Sequence, residues 1–355
     1  MEKRPRHKPG LFLFLAARPE VHVLDMAGRA SHSCPVNDLH LIPARTPTMY
    51  FIGVSTAHSM IMRVFPAWAR YLELGDCHLA GIDMKLHDTP ERYREVVTFI
   101  KEDPGTLGAL VTTHKIDLLH ATRDLFDELD DFGSLMGEVS SISKRDGRLC
   151  GGAKDPISSG LALEAFLPAR HWELRGAQAF LMGAGGSSVA LCSYLGRREH
   201  KGNRPARIFV SNRSEKRLEE MREINRRQGM EVDVEYVLTP QPQDNDAVLR
   251  RLDRGAMVVN ATGLGKDGPG SPITDAAVFP EAGLAWDFNY RGDLQFLRQA
   301  RAQAAGRGLH VEDGWLYFIY GWLAVIGEVF HRHIPFSGPV FDELCRIAER
   351  ERKMS

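Results

Sequence analysis

The chain has 355 residues, 43% of them hydrophobic and 26% charged, with a net charge of −1. That length exceeds a comfortable single core and suits two domains. The near-zero charge supplies no field to gather nucleic acid or an anionic membrane, so neither is an expected partner and a small-molecule substrate is.

The five cysteines, Cys34, Cys77, Cys150, Cys192 and Cys345, are odd in number and far apart. No CxxC or CxxH pair accompanies them, which points to reduced thiols in a cytoplasmic protein without a structural zinc. No apolar run reaches the roughly 18 residues of a membrane span. The basic start "MEKRPRHKPG" precedes a short apolar run, Leu11 to Ala17, which Arg18-Pro19-Glu20 breaks. A signal peptide would continue into a small-residue cleavage site. Residues 1–46 are therefore expected to be an irregular extension.

From Met49 strands and helices alternate. "MYFIGVS" reads as a strand, and "SMIMRVFPAWARYLEL" as a helix despite Pro66. The strand "HLAGIDMKL" leads to the helix "PERYREVVTFIKED", opened by Pro90 where proline is tolerated. "LGALVTT" is a third strand, and "KIDLLHATRDLFDELDDFGSL" is expected to be one helix. "EVSSISKRDGRLCGG" predicts a hairpin turning at Asp146-Gly147. A helix, "SSGLALEAFLPA", then leads into a second βα series: "AQAFLMGAGGSSVALCSYLGRRE", "RIFVSNRSEKRLEEMREINRRQG", "EVDVEYVL", "AMVVNAT" and "LAWDFNY". Two helices close the chain, "GWLYFIYGWLAVIGEVFHRH" and "SGPVFDELCRIAERERK", and helices so placed often return to the first domain.

The expected fold is α/β with two domains: an N-terminal βα substrate-binding domain and a doubly wound, Rossmann-like dinucleotide-binding domain. Boundaries fall at 47–155, completed by 313–355, and at 156–312.

Two motifs in the second domain suggest a dinucleotide. "FLMGAGGSSVAL" places Gly183, Ala184, Gly185, Gly186 and Ser187 between a strand and a helix. The first glycine permits a tight turn, and the second lets the backbone approach a pyrophosphate on the helix N-terminus. Ser188 takes the third, packing position. A glycine turn in a nucleotide-free α/β protein would look similar. The next strand ends in "SNRSEKR" without the acid that would hold an adenosine ribose. Asn212, Arg213 and Arg217 instead suit a 2′-phosphate, favouring NADP over NAD.

Taken in order, further segments resemble the shikimate and quinate dehydrogenases over roughly residues 47–335. "FIGVSTAHSM" is similar to "IGxPxxHSxSP", "ALVTTHK" to "NVTxPxK", "GEVSS" to "GAVNT" and "GGAKD" to "GxNTD". "GAGGSS" and "SNRSEKR" match the cofactor turn and the "NRTxxR" clamp. "NATGLG" matches "NATxxGM", "DFNY" matches "DxxY", and "EDGWLY" matches "xGxxML".

The resemblance implies that Lys115 and Asp155 flank the alcohol being oxidised. A lysine of lowered pKa would take the hydroxyl proton or hydrogen-bond the alkoxide, and the aspartate would hold both in place. It implies substrate contacts at Ser59, Thr112, Ser140 and Tyr290, and cofactor contacts at Asn260, Thr262 and Gly314.

The departures fall on the substrate side. Ile61 replaces the second serine, Ser140 the asparagine of "GAVNT", and Ala153-Lys154 the Asn-Thr pair. Gly321 stands where a glutamine is expected. Arg63, Lys154, Tyr320 and Trp322 are new groups in these segments. Losing several polar partners costs a site its selectivity for the original ligand.

The reading is an NADP-dependent oxidoreductase acting on a secondary alcohol or ketone of a cyclic, carboxylated polyol, with a substrate pocket diverged from shikimate. Two alternatives stand beside it: a quinate or shikimate enzyme with a remodelled pocket, and a non-catalytic metabolite sensor of the same fold. His331 and His333 near Glu328 do not share one helical face with it, so no metal is expected. Oligomeric state stays open, a homodimer included.

Overall fold

The structure, a computed structural model, describes residues 41–175, 177–197, 203–266 and 268–354. Most of the expected N-terminal extension, and Cys34 with it, lies outside the described residues. From Leu41 onward the chain clusters as one unit that contains two six-stranded sheets.

The first sheet holds β1 (Thr48–Gly53), β2 (His78–Asp83), β3 (Thr106–Val111), β4 (Glu128–Leu129), β5 (Ser141–Arg145) and β6 (Arg148–Gly152), in the order β2-β1-β3-β5-β6-β4. β1 runs parallel to β2 and β3, and it is buried along its whole length, as parallel strands covered on both faces are. β5 turns antiparallel to both β3 and β6. The hairpin turn lies where expected. Asp146 and Gly147 have φ of 51° and 75°, which matches a primed turn and the twist of the flanking strands.

The helices beside this sheet are α1 (Ile61–Tyr71), α2 (Pro90–Glu102), α3 (Lys115–Thr122) and α4 (Asp131–Met136). Pro90 opens α2, and the Thr89 hydroxyl caps it by accepting from the Arg92 amide. The single helix expected over residues 115–135 is broken instead. Asp127 accepts the Leu149 amide at 2.8 Å, and Asp130 accepts those of Gly133 at 2.7 Å and Ala153 at 3.1 Å. These short acids serve backbone donors of β6 and cap a new helix, which competes with a place on one long helix.

α5 (Asp155–Glu164) leads away from the first sheet and packs on later helices, and α6 (His171–Arg175) follows it. The second sheet is wholly parallel. It comprises β7 (Ala179–Met182), β8 (Ile208–Asn212), β9 (Val234–Leu238), β10 (Met257–Asn260), β11 (Leu284–Asp287) and β12 (His310–Glu312), in the order β9-β8-β7-β10-β11-β12. The order reverses between β7 and β10, the switch point at which doubly wound sheets open a crevice at their strand C-termini. Its helices are α7 (Gly186–Leu195), α8 (Glu215–Arg227), α9 (Pro242–Leu249) and α10 (Gln295–Arg307).

α11 (Trp315–Val329) packs on α5, β3 and β5, and α12 (Gly338–Lys353) packs on α1, where the Trp68 indole N–H donates to the Leu344 carbonyl at 2.8 Å. The α/β class and the Rossmann-like second sheet are those expected from sequence. Among the described residues no helix is long and apolar enough to cross a membrane, and Cys77, Cys150, Cys192 and Cys345 are free thiols.

Candidate active site

The first sheet's topology gathers three separate segments at one end. β5 is antiparallel to β3, so the chain entering β5 lies beside the chain leaving β3. β6 is antiparallel to β5, so its exit lies there too. The Ser140 carbonyl accepts the Val111 amide and the Lys115 carbonyl accepts that of Val139, while the Ser140 amide donates to Gly152. "THK", "GEVSS" and "GGAKD" are thereby laid side by side.

A tight turn aims the lysine. Thr113 has φ of 46°, an uncommon value for a threonine, and the His114 amide folds back onto the Thr112 carbonyl. His114 is buried against the Tyr93 hydroxyl at 3.0 Å, which anchors the turn. Lys115 then opens α3, and its ammonium donates to Asp155 Oδ2, with both side chains largely buried. Asp155 opens α5 and accepts a second hydrogen bond from the Tyr317 hydroxyl of α11 at 3.1 Å.

The electrostatics differ from the expectation of a lysine with lowered pKa. Burial works in that direction, but the Asp155 and Glu138 carboxylates beside the ammonium outweigh it and hold Lys115 above its ordinary value. Glu138 is only 1% exposed, and neither carboxylate oxygen has a hydrogen-bond partner among the described residues. Burial pushes its carboxyl up to about 7, against the pull of Lys115 and with a further push from Asp155. Tyr317 is raised well above its ordinary value by burial and by the Asp155 charge.

The second sheet brings its motifs to its own C-terminal edge. Gly183 ends β7 with φ of 105°, and a Cβ there would lie 3.0 Å from the Ala261 carbonyl. Gly185 caps α7 in extended backbone, no side chain caps that helix, and nothing lies within 4 Å of where a Cβ would stand. The first N–H donors of α7 thus face an open cradle, which a pyrophosphate fits. Ala184 is buried beside it, and Ser187 stands near the Tyr317 hydroxyl. Arg213, one residue past β8, is exposed and joins no ion pair among the described residues, whereas Arg217 is paired with Glu220 at 2.9 Å. The residues present therefore fit a 2′-phosphorylated dinucleotide, with Arg213 the freer of the two cations.

Other candidates serve the backbone. Asn260 is fully buried: its carbonyl accepts from the Thr262 amide and hydroxyl, and its amide donates to Asp287. It shapes the 260–264 loop and presents no free group. Asn212 accepts the Arg213 amide at 2.8 Å. Gly314 opens α11 where a Cβ would lie 2.0 Å from the Phe288 carbonyl, so glycine is required for that approach. Ser140 accepts the Lys154 amide at 2.8 Å, while Ser59 and Thr112 lie in the loops leaving β1 and β3. Tyr290 is half-buried against Trp315 and Phe318.

The new cations and aromatics are mostly engaged elsewhere. Lys154 is held by Asp130 at 3.1 Å and Glu328 at 3.2 Å, and Arg63 lies 3.8 Å from Glu351. Tyr320 stacks on Phe341 in the core, and Trp322 packs edge-on to Phe51. His331 and His333 line a separate cavity of about 730 Å³ with Lys144 and Glu328, and no metal-binding group is found among the described residues.

Sequence reading missed Glu138 and Tyr317. Glu138 had a signal, since "GEVSS" puts an acid where "GAVNT" has alanine. Tyr317 had none, because it sits in the aromatic run "WLYFIYGW", where no periodicity singles it out.

No family model matches the chain. It is 28% identical over 196 residues to the shikimate dehydrogenase (NADP(+)) of Streptococcus gordonii, a stretch covering 55% of this chain and 62% of that one. The chain thus spans about three fifths of that curated relative's length. Among solved structures, the shikimate dehydrogenase of Aquifex aeolicus aligns with a TM-score of 0.64 at 20% identity, over 88% of this chain and 99% of that one. The 5-ketofructose reductase of a Gluconobacter strain aligns with a TM-score of 0.60 at 17% identity, over 86% and 99%. In sequence and in fold the chain is similar to the shikimate dehydrogenases, and it has diverged from them.

Proposed function

We propose that the chain is an NADP-dependent oxidoreductase acting on a secondary alcohol or ketone of a cyclic polyol, with a pocket that has departed from shikimate. The observation that carries this reading is the buried Lys115–Asp155 pair in a chain whose second sheet bears an uncapped glycine turn. Support for the cofactor comes from the exposed Arg213 and from the curated relative's name, which specifies NADP(+).

Bound NADP would accept or supply the hydride. This chain's residues handle the oxygen. With its pKa above the ordinary value, Lys115 is an ammonium at neutral pH. In ketone reduction its role is to donate a hydrogen bond to the substrate oxygen, stabilise charge there, and give that oxygen a proton; in alcohol oxidation the steps reverse, and the neutral amine takes the hydroxyl proton. Asp155 orients the ammonium, and Tyr317 orients Asp155.

Lys154 and Arg63, the new cations in the substrate segments, already pair with acids and are not spare charges for a substrate carboxylate. Ile61 stands where a serine hydroxyl would be. A reductase of 5-ketofructose shares the fold, so the scaffold is not tied to shikimate.

The test is absorbance of reduced nicotinamide with NADP or NAD across shikimate, quinate, their amino- and deoxy-analogues and uncharged cyclic polyols. Turnover of one compound with NADP is expected, and Lys115→Ala should cut it about 10²–10⁴-fold. Undiminished turnover in Lys115→Ala would remove the lysine from the mechanism. No turnover with NADP binding intact would favour the sensor.

A further inference from the structure

Glu138 is a buried carboxyl that the mechanism above does not use. It enters the site ahead of β5, and both its oxygens lack a hydrogen-bond partner among the described residues. A carboxylate kept dry and unpaired is costly, so a placement of this kind calls for a reason. Its surroundings suggest one. A Cβ built on Gly186 would lie 2.1 Å from Glu138 Oε2, so the carboxyl lies directly against the first turn of α7, in the space a side chain there would take. Among the described residues, the charged or titratable groups acting on it are Lys115 from α3, Asp155 from α5 and Tyr317 from α11, while α7 sets Gly186 against it. The same uncapped N-terminus of α7 is the cradle assigned to the dinucleotide.

We infer that Glu138 couples dinucleotide binding to proton uptake: an anionic pyrophosphate at the α7 N-terminus is accepted when the Glu138 carboxyl is neutral and resisted when it is ionised. The inference rests on the NADP reading. It makes Glu138 a positioning and selectivity residue acting through charge, with Lys115 and Asp155 keeping the substrate oxygen. Burial, opposed by Lys115 and reinforced by Asp155, brings the Glu138 carboxyl to about 7, where a modest change in nearby charge alters its protonation.

The experiment is calorimetric titration of the full chain with NADP in buffers of different ionisation enthalpy, between pH 6 and 8.5, for the native chain and Glu138→Gln. The 2′-phosphate of the probe titrates near the lower limit, but equally for both proteins, so the comparison isolates Glu138. The native chain should take up a fraction of a proton on binding near pH 7, and its affinity should fall roughly tenfold across the range. Glu138→Gln should lose that uptake, match the native chain at pH 6 and bind more tightly at pH 8.5. A purely structural role would not improve binding.

Equal proton uptake and parallel affinity profiles in the two proteins would overturn the inference alone. Absence of NADP binding by the native chain would overturn it together with the cofactor reading. Should Glu138→Gln fail to fold, the native profile decides above the 2′-phosphate titration: an affinity that does not fall between about pH 7 and 8.5 would overturn the inference.

Discussion

On the proposed reading, cofactor choice turns on Arg213. It follows the strand neighbouring the glycine turn, it is exposed, and no acid claims it among the described residues. Arg217 spends its charge on Glu220. A guanidinium meets a phosphate with paired donors and is always charged. Arg213→Ala should therefore weaken NADP about tenfold or more while leaving NAD nearly unchanged, measured as two dissociation constants; equal losses would show that the 2′-phosphate is not read here. Lys115 carries the other lesson at this scale. A buried lysine taken alone suggests a lowered pKa, yet two carboxylates beside it reverse the sign. One of them, Glu138, comes from a segment 23 positions along the chain (138 − 115).

At the scale of elements, the turn between β7 and α7 shows how two nearby glycines can do different work. Gly183 needs its residue type for the backbone, with φ of 105° and a carbonyl 3.0 Å from any Cβ. Gly185 needs it for the empty space in front of it, since its φ of −87° suits any residue. Gly183→Ala should cost about 1–3 kcal/mol of stability. Gly185→Ala should cost less than about 1 kcal/mol while weakening the dinucleotide. Denaturant midpoints and calorimetry on the two variants separate these effects, and a Gly185→Ala chain with native affinity would mean the cradle is not the binding surface. The broken α3–α4 segment makes a related point. The run reads as one helix along the chain, but the amides of Leu149 in β6 and Ala153 just beyond it claimed two of its acids.

For the whole molecule, Asp287 ties folding to pH. It ends β11 fully buried, accepts from Asn289 and Asn260, and leaves Oδ2 without a partner among the described residues. Burial raises its carboxyl from 3.8 to about 7. The folded state thus binds this proton more tightly than the unfolded chain does. The stability it supplies is fully present below about pH 4 and is lost as pH rises through about 7, by an amount on the order of 3–4 kcal/mol. Asp287→Asn should flatten this component. Its stability relative to the native chain should rise between pH 5 and 8 in denaturant unfolding, and parallel profiles would place the charge of Asp287 in contact with water.

The class of fold was readable because buried strands, capped helices and glycine turns are local and repeat with fixed periods. The strands around Met49, Val111, Leu181 and Val258 are continuous apolar runs, and covering a parallel sheet on both faces requires such runs. Lys115 and Asp155 could be named because each follows a recognisable strand end, although nothing in their spacing shows that they touch. What only the tertiary structure decided is which charges meet. Lys154 and Arg63 look free along the chain but pair with Glu328 and Glu351, which lie far away in sequence. Tyr317 reaches Asp155 because α11 packs on α5, and Glu138 lies against Gly186, 48 positions further along the chain (186 − 138). Coulomb energies and desolvation depend on distance in space, and the order of residues along a chain does not contain that distance.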